Sequence, residues 1–372
     1  MRNLLLLAGR ALRSNFGTNP APFKVTFIVT WTCDCKCRMC NIWQRPKPRD
    51  RMTVEEVRLF FRRNPGISWV NLSGGEIFTR PDSTDLVGAV VEECRDLYLL
   101  DFPTTGQNTR KVLAGVRAAL DRGVPRLLVT VSLDGAGEEH DEVRRIRGAY
   151  GRAVETFRRL REIRRGGFGV YFGVTLSRFN KGALLRIVDR VRQDIPGITE
   201  RDFHVNLAQE SAHYYQNEGM APAEAGVLQD MEEFLRRRGS SLHPINLLER
   251  LYQKRLRSFV ETGRSPVPCR ALRSSVYVGP TWQVFPCTMW DAPLGNLRDT
   301  GFALRPLWEG AGAARRRDEI ARGACPHCWT PCEAYPSLLA QVLRPSSPMP
   351  RPAGTPSTAP APRAPDPAPT EV

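Results

Sequence analysis

The chain has 372 residues, enough for one large catalytic domain and a smaller module, so a single domain is not expected. Its formal net charge is +15, but the basic residues are nearly all dispersed arginines, which disfavours a nucleic-acid-binding protein. No segment approaches the roughly 18 apolar residues of a membrane span. We therefore predict a cytoplasmic protein whose ten cysteines are metal ligands rather than disulfides.

The N-terminal segment, residues 1–22, is predicted to form a surface amphipathic helix that is too short for a signal sequence. From Phe23 onward, strands and helices alternate. Strands are predicted at FKVTFIVT, SWVNLSG, LYLLDFPTTG, RLLVTVSLDG, GVYFGVTLSR and DFHVNLAQ. Helices are predicted at MTVEEVRLFFRR, STDLVGAVVEECRD, TRKVLAGVRAAL, YGRAVETFRRLREIRR and GALLRIVDRVRQ, the first with a capping box from Thr53 to Glu56. Six strands joined by helical crossovers indicate a parallel α/β sheet over residues 23–210.

Three further segments complete the predicted domain organisation. Residues 211–268 form a mostly helical connection. Residues 269–342 form a small unit that contains five of the ten cysteines. Residues 343–372 are dominated by proline, alanine, serine and threonine, a composition typical of a disordered tail.

Four cysteines lie within eight positions directly after the first predicted strand. Cys33, Cys37 and Cys40 have the spacing C-x3-C-x2-C, and three thiolates suit a cubane iron–sulfur cluster that keeps one iron open. Cys35 could by count complete a four-cysteine zinc site. However, one residue separates it from Cys33 and from Cys37, and alternate positions of a tight loop rarely converge on one ion. The spacing therefore favours the cluster, with Cys35 as a bystander.

This loop resembles the hallmark of the radical S-adenosylmethionine (radical SAM) superfamily, in which it follows the first strand of a parallel partial barrel. The resemblance implies a partial (β/α)6 parallel barrel and a [4Fe-4S] cluster held by Cys33, Cys37 and Cys40. It also implies that S-adenosylmethionine (SAM) chelates the fourth iron through its amino and carboxylate groups. The residue before the last cysteine packs near the adenine in this family, where it is often aromatic, and here it is Met39.

Other strand ends carry corresponding motifs. Gly74, Gly75 and Glu76 end the second strand, where the backbone approaches a ligand closely and a carboxylate accepts hydrogen bonds from an ammonium group; they resemble the family motif GGE, which binds the methionine amino group. The resemblance also implies a ribose or carboxylate contact for Ser132 and a cofactor or substrate contact for Asp134, both in SLDG, and makes Thr105, in TTGQN, a cofactor-side candidate. The later HDEVRRIRG matches the family's HD…RG continuation, where His140 is expected to cap a helix rather than to act in catalysis.

The second cysteine set frames a predicted β-hairpin. Cys269 and Cys287 flank RALRSSVYVGPTWQVFP, and CPHCWTPC follows later in the chain. On spacing alone, the set fits either a four-cysteine zinc ribbon or a second [4Fe-4S] cluster. VFPC and LGNL resemble the auxiliary-cluster region of the SPASM and twitch subfamilies, which favours iron and sulfide. The predicted ligands are Cys269, Cys287, Cys325 and Cys328, with Cys332 as a substitute or a spare. Trp282 stands where relatives usually have glycine.

The resemblance implies an enzyme that cleaves SAM reductively to a 5′-deoxyadenosyl radical, which abstracts hydrogen from a substrate. An external electron donor of the flavodoxin or ferredoxin type reduces the first cluster. The auxiliary cluster could accept an electron, which would make the net reaction an oxidation. The sequence does not choose between a small-molecule and a peptide substrate. The alternative is a zinc-binding or iron–sulfur regulatory protein without turnover, which would not need GGE or SLDG.

Overall fold

The computed structural model describes residues 2–220 and 225–343, and one mixed sheet runs through this part of the chain. Its strands are β1 (Lys24–Ile28), β2 (Trp69–Ser73), β3 (Leu99–Thr104), β4 (Arg126–Ser132), β5 (Phe168–Leu176), β6 (Phe203–Leu207), β7 (Ser275–Val278), β8 (Gln283–Phe285) and β9 (Gly295–Asn296). The strand order across the sheet is β6-β5-β4-β3-β2-β1-β7-β8-β9.

The described residues form thirteen α-helices, and the second to the seventh of them connect the first six strands on the outer face of the sheet. They are α1 (Arg2–Arg13), α2 (Val54–Arg63), α3 (Ser83–Glu93), α4 (Thr109–Asp121), α5 (Glu138–Arg144), α6 (Ala149–Arg161), α7 (Leu184–Asp194), α8 (Met231–Arg238), α9 (Pro244–Lys254), α10 (Leu256–Thr262), α11 (Arg305–Glu309), α12 (Ala311–Ala321) and α13 (Pro331–Leu343). No helix of the described residues is long and apolar enough to cross a membrane. The predicted tail lies outside the described residues from position 344 onward.

The predicted partial barrel is confirmed. Strands β1 to β6 are parallel to their neighbours and follow one another in chain order, because each returns through a helical crossover. All six predicted strands and their connecting helices are present. The capping box that begins α2 forms as predicted, since Thr53 and Glu56 exchange side-chain to backbone hydrogen bonds.

The two faces of the parallel sheet differ in chemistry. Residues such as Phe27, Leu72 and Val129 are fully buried in the main apolar core against the helices. The alternate positions face inward and include many polar side chains, because successive side chains of a strand point to opposite faces. Polar side chains of this inner face line the central cavity, and they include Thr26, Asn71, Ser73, Asp101, Thr130, Ser132, His204 and Asn206.

The C-terminal strands extend the same sheet. Strand β7 pairs in parallel with β1, and β8 and β9 continue it as antiparallel neighbours, so the predicted hairpin is present. Trp282 occupies its turn with φ of +69°, the left-handed conformation that glycine adopts without strain. Its indole is fully buried against Phe27 and Phe60, and its N–H donates to Glu56 at 3.1 Å. Packing thus holds a bulky side chain in a backbone conformation that glycine adopts more readily.

Candidate SAM and cluster site

A cavity of about 360 Å³ opens at the carboxyl edge of the parallel strands. All three predicted cluster cysteines, Cys33, Cys37 and Cys40, line it together with Met39. The cavity is also lined by the predicted cofactor residues Gly74, Gly75, Thr105 and Ser132. Motifs that are spread over about a hundred residues of sequence therefore meet around one space, as expected where parallel strands end at a common edge.

The cysteine loop leaves β1 and runs alongside the end of α5. The amide of Lys36 donates to the carbonyl of Arg144 at 3.1 Å, and the amide of Arg38 donates to that of Val143 at 2.9 Å. Cys35 and Cys37 are buried, whereas Cys33 and Cys40 are half-buried. The end of α5 thus fixes the path of the loop between its cysteines.

The thiols of the loop differ in acidity. The Cys35 thiol and then the Arg144 guanidinium lower the pKa of Cys37 to about 7, whereas burial raises the pKa of Cys40 to about 12. In residues 2–220 and 225–343, no three His, Cys, Asp or Glu side chains converge as they would on a single metal ion. A cubane has an iron–sulfide core between its cysteines and needs no such convergence.

The two glycines of GGE are required by the cysteine loop itself. A Cβ on Gly74 would lie 2.3 Å from the carbonyl oxygen of Thr30, and one on Gly75 would lie 2.3 Å from that of Thr32. The amide of Gly75 donates to the Thr30 carbonyl and that of Glu76 to the Thr32 carbonyl, both at 2.9 Å. Close backbone approach was expected here, and in the structure the approaching group is the start of the cysteine loop.

Replacing Gly75 with alanine is therefore expected to destabilise the fold by about 1–3 kcal/mol, because neither backbone can yield without losing its hydrogen bond. The matched control is Gly151 in α6, where an added Cβ has nothing within 4 Å. Gly151→Ala should stabilise by about 0.5–1 kcal/mol. Urea unfolding monitored by circular dichroism measures both changes. Equal stabilities of the two variants would contradict the close approach.

Glu76 is a buried carboxylate that lies beside the half-buried Asp34. Its carboxylate is 2% exposed and accepts hydrogen bonds from the amide of Thr105 at 2.6 Å and from the hydroxyl of Thr104 at 3.0 Å. The hydroxyl of Thr105 in turn donates to Asp34 at 3.0 Å. Burial and then the charge of Asp34 raise the pKa of Glu76 to about 7. A cation bound beside Glu76 would lower its pKa again, because a positive charge favours the ionised carboxylate.

An ion pair and hydrogen bonds connect the SLDG segment to the HD…RG segment. Asp134 is fully buried; it forms an ion pair with Arg144 at 2.5 Å and accepts from the amide of Thr175 at 2.8 Å. His140 does not cap α5, whose N-cap residue is Gly137; its ring accepts a hydrogen bond from the amide of Asp134 at 2.9 Å. The Asp141 carboxylate accepts hydrogen bonds from the amides of Gly148 and Tyr150. The motif thereby holds α5 against the end of β4.

Arg144 is a site residue that the sequence reasoning missed. Its guanidinium lies 3.5 Å from the Cys37 sulfur and joins that thiol to Asp134. Arg144 is four residues after His140 and therefore on the same face of α5, a signal that the sequence offered. Asp134 was predicted to face the cofactor or the substrate. In the structure its carboxylate binds Arg144 and the amide of Thr175, so a direct contact with cofactor or substrate stays a prediction.

Four cysteines of the second set, Cys269, Cys287, Cys325 and Cys328, lie near one another, and the fifth, Cys332, lies apart from them. Cys287 packs with Cys269 and Cys328 in one apolar cluster. Burial and then the charge of Glu333 raise the pKa of Cys269, and the neighbouring thiols of Cys328 and Cys325 raise it further. Cys332, in the first turn of α13, has different surroundings. Its sulfur lies 3.9 Å from Asn71 Oδ1 on β2, and it lines the central cavity.

Tyr215 joins the two cysteine sets, and no sequence motif indicated it. Its ring packs in one apolar cluster with Cys33 and Cys40 and in another with Cys287 and Cys328. Its carbonyl accepts the amide of Asn41, directly after the cysteine loop, at 2.9 Å. The two regions are thus in contact through one half-buried aromatic side chain.

The parallel partial barrel and the loop after β1 define the class of the fold. The chain has the radical SAM fold, as the cysteine loop predicted, and comparison with solved structures confirms it. The crystal structure of Streptococcus suis SuiB bound to S-adenosylmethionine superposes with a TM-score of 0.56 and 14% sequence identity, over 78% of this chain and 66% of that chain. SuiB bound to the precursor peptide SuiA superposes with a TM-score of 0.51 and 16% identity, over 80% of this chain and 68% of that chain.

The similarity lies in the fold rather than in the sequence. No protein-family model matches the chain, and no curated protein matches it with significance. The chain spans 66% of the length of the SAM-bound SuiB structure.

Proposed function

We propose that the protein is a radical SAM enzyme. The observation that supports this most directly is the convergence of the cysteine loop, Gly74, Gly75, Thr105 and Ser132 on one cavity at the carboxyl edge of the sheet; Glu76 lies behind this lining and is 2% exposed. Three thiolates and the buried Glu76 carboxylate beside Asp34 suit an iron–sulfur cluster and a cationic amino acid cofactor.

In this proposal, Cys33, Cys37 and Cys40 hold a [4Fe-4S] cluster that SAM completes. When bound and reduced by an external donor, the cluster would supply the electron for cleavage of SAM to methionine and a 5′-deoxyadenosyl radical, and that radical would abstract hydrogen from the substrate. Glu76 would accept a hydrogen bond from the methionine amino group, and Met39 would pack near the adenine. The cavity walls hold the substrate and keep water out.

The remaining chemistry is proposed on the second cysteine set. Cys269, Cys287, Cys325 and Cys328 hold an auxiliary [4Fe-4S] cluster, which could take an electron from the substrate radical and make the net reaction an oxidation. The substrate is a small molecule or a peptide that fits the polar inner face of the barrel. The cytoplasmic location stays a prediction.

The experiment that tests the proposed function is anaerobic. The protein is reconstituted with iron and sulfide, supplied with dithionite and SAM, and assayed for 5′-deoxyadenosine by chromatography. Formation above the level of a sample without protein supports the proposal. Its absence from a sample with a full cluster content would favour the regulatory alternative.

The four-plus-one division predicts different iron contents for two variants. Cys328→Ser should lose about four irons per chain, because it removes a ligand of the auxiliary cluster. Cys332→Ser should keep the wild-type iron content, since its thiol lies with Asn71 in the cavity. Iron and sulfide analysis of the reconstituted proteins measures both. If Cys332→Ser loses iron and Cys328→Ser keeps it, Cys332 is the cluster ligand and Cys328 is the spare cysteine.

Glu76 predicts how SAM affinity depends on pH. The carboxyl group has a pKa of about 7 and accepts a hydrogen bond from the methionine amino group strongly only when ionised, so SAM affinity should fall as pH is lowered from 7.5 to 5.5, by up to about tenfold per unit. Glu76→Gln should bind more weakly at pH 7.5 and lose most of this dependence. Equilibrium dialysis with labelled SAM measures it, with Glu142→Gln, at an exposed position of α5, as the control. A steep dependence in Glu76→Gln would assign the titration to another group.

A further inference from the structure

The cysteine loop is surrounded by exposed positive charge. We define the basic rim as Lys36 and Arg38 of the loop, Arg145 and Arg147 after α5, and Arg178 after β5. Four of these side chains are exposed, and Arg38 is half-buried. Lys36 and Arg38 flank Cys37 in sequence, so part of this positive charge lies on the cysteine loop itself.

Three of the five rim cations, Lys36, Arg38 and Arg178, lie over aromatic rings. The guanidinium groups of Arg38 and Arg178 lie 4.5 Å and 4.9 Å from the centre of the same Phe179 ring. The ammonium of Lys36 lies 5.7 Å from the ring of Trp43. Cation–π contacts fix the direction of a cation without neutralising it, so the charges stay directed outward.

In the described part of the chain the rim cations form no ion pair, as is also true of some exposed arginines of the outer helices, such as Arg117. On the helical faces, other arginines such as Arg58 and Arg122 form ion pairs with glutamates, in this case with Glu92. Within residues 2–220 and 225–343, no ion pair of 4.0 Å or less joins a rim residue to a carboxylate. Glu138 and Glu142 of α5 are also exposed, which leaves a clear excess of positive charge.

We infer that the basic rim is the docking surface for an acidic one-electron donor protein of the flavodoxin type, an inference that rests on the proposed function. The donor must bring its redox group close to the first cluster, and the rim marks where the cysteine loop reaches the surface. In the docked pair one electron passes from donor to cluster, and no atom is transferred. Complementary charge accelerates such encounters and makes them sensitive to salt.

The test compares two triple variants of the full chain. The rim variant is Lys36→Ser, Arg145→Asn and Arg178→Ser; asparagine suits the left-handed backbone of Arg145, whose φ is +55°. The control variant is Arg95→Ser, Arg117→Ser and Arg164→Ser. These exposed arginines lie on or near the C-terminal ends of α3, α4 and α6, at the opposite edge of the sheet, and removing them lowers the net charge equally.

Two measurements are made on each protein with a reduced acidic flavodoxin as the probe. With the flavodoxin as reductant at low salt, the rim variant should need on the order of tenfold more donor for half-maximal 5′-deoxyadenosine formation. Its rate should also respond less to added salt. With dithionite as reductant, the rim variant, the control variant and the wild type should form 5′-deoxyadenosine at equal rates.

Flavodoxin binding measured by calorimetry, which needs no turnover, should weaken in the rim variant alone. Equal binding by the rim and control variants would overturn the docking surface. A random RNA that binds more tightly than flavodoxin and is lost in the rim variant would do the same, in favour of nucleic acid. Failure of the wild type with dithionite would instead remove the proposed function, and the binding measurement would still decide whether the rim recognises the donor.

Discussion

Replacing Cys37 with alanine is expected to reduce reductive SAM cleavage by on the order of 1,000-fold or more, because the variant lacks one of three thiolates that hold the first cluster. Cys37 is the most acidic thiol of the loop for which a shift is resolved, with a pKa of about 7. It also contacts Arg144, which ties it to SLDG. Its loss removes both a ligand and this connection.

Cys35→Ala is the matched control, since it removes a thiol of the same loop. Cys35 is buried, and its hydrogen bonds with Cys33 and Cys37 raise its own pKa, so it stays protonated. We expect this variant to cleave SAM within about threefold of the wild type, as befits a small buried side chain. The measurement is 5′-deoxyadenosine formed per chain with dithionite, alongside the ultraviolet–visible spectrum of the cluster. Equal activity of both variants, or loss of activity in Cys35→Ala alone, would refute the assignment of ligands.

The parallel barrel could be predicted because its signals are local. Apolar runs such as FKVTFIVT and the capping box at Thr53 define where elements begin, and helical crossovers between strands imply parallel pairing. The identity of the inner face was not read from the same runs. It depends on alternation within each strand, such as Leu127 and Val129 outward against Leu128 and Thr130 inward.

The site could be predicted only in part, because its remaining features depend on contacts that are distant in sequence. The glycines of GGE were expected to admit a ligand, but the atoms nearest to them are backbone oxygens of Thr30 and Thr32. The pairing of β7 with β1 joins residues about 250 positions apart, and no local pattern encodes it. The same holds for Cys332, whose place beside Asn71 follows from the position of α13.

Replacing Arg144 with methionine is expected to destabilise the protein by about 3–5 kcal/mol, because it leaves the Asp134 carboxylate buried without its counter-ion. Asp134 is fully buried, and Arg144 is 10% exposed. Burial raises the pKa of Asp134, and the charge of Arg144 opposes that rise. Anaerobic urea unfolding of the metal-free protein measures the change. Arg147→Met, at an exposed position three residues later, should be close to neutral.

The double variant Asp134→Asn with Arg144→Met should recover most of the lost stability, since it removes the uncompensated charge. The pH dependence of the destabilisation in Arg144→Met is an independent test of the ion pair. In Arg144→Met the folded-state pKa of Asp134 lies above its unfolded value, so the destabilisation grows as pH rises above that unfolded value and disappears in acid, where the carboxyl is protonated in both states. A deficit that is the same at all pH values, or that remains in the double variant, would mean that Arg144 stabilises the site through packing on Cys37 rather than through its ion pair with Asp134.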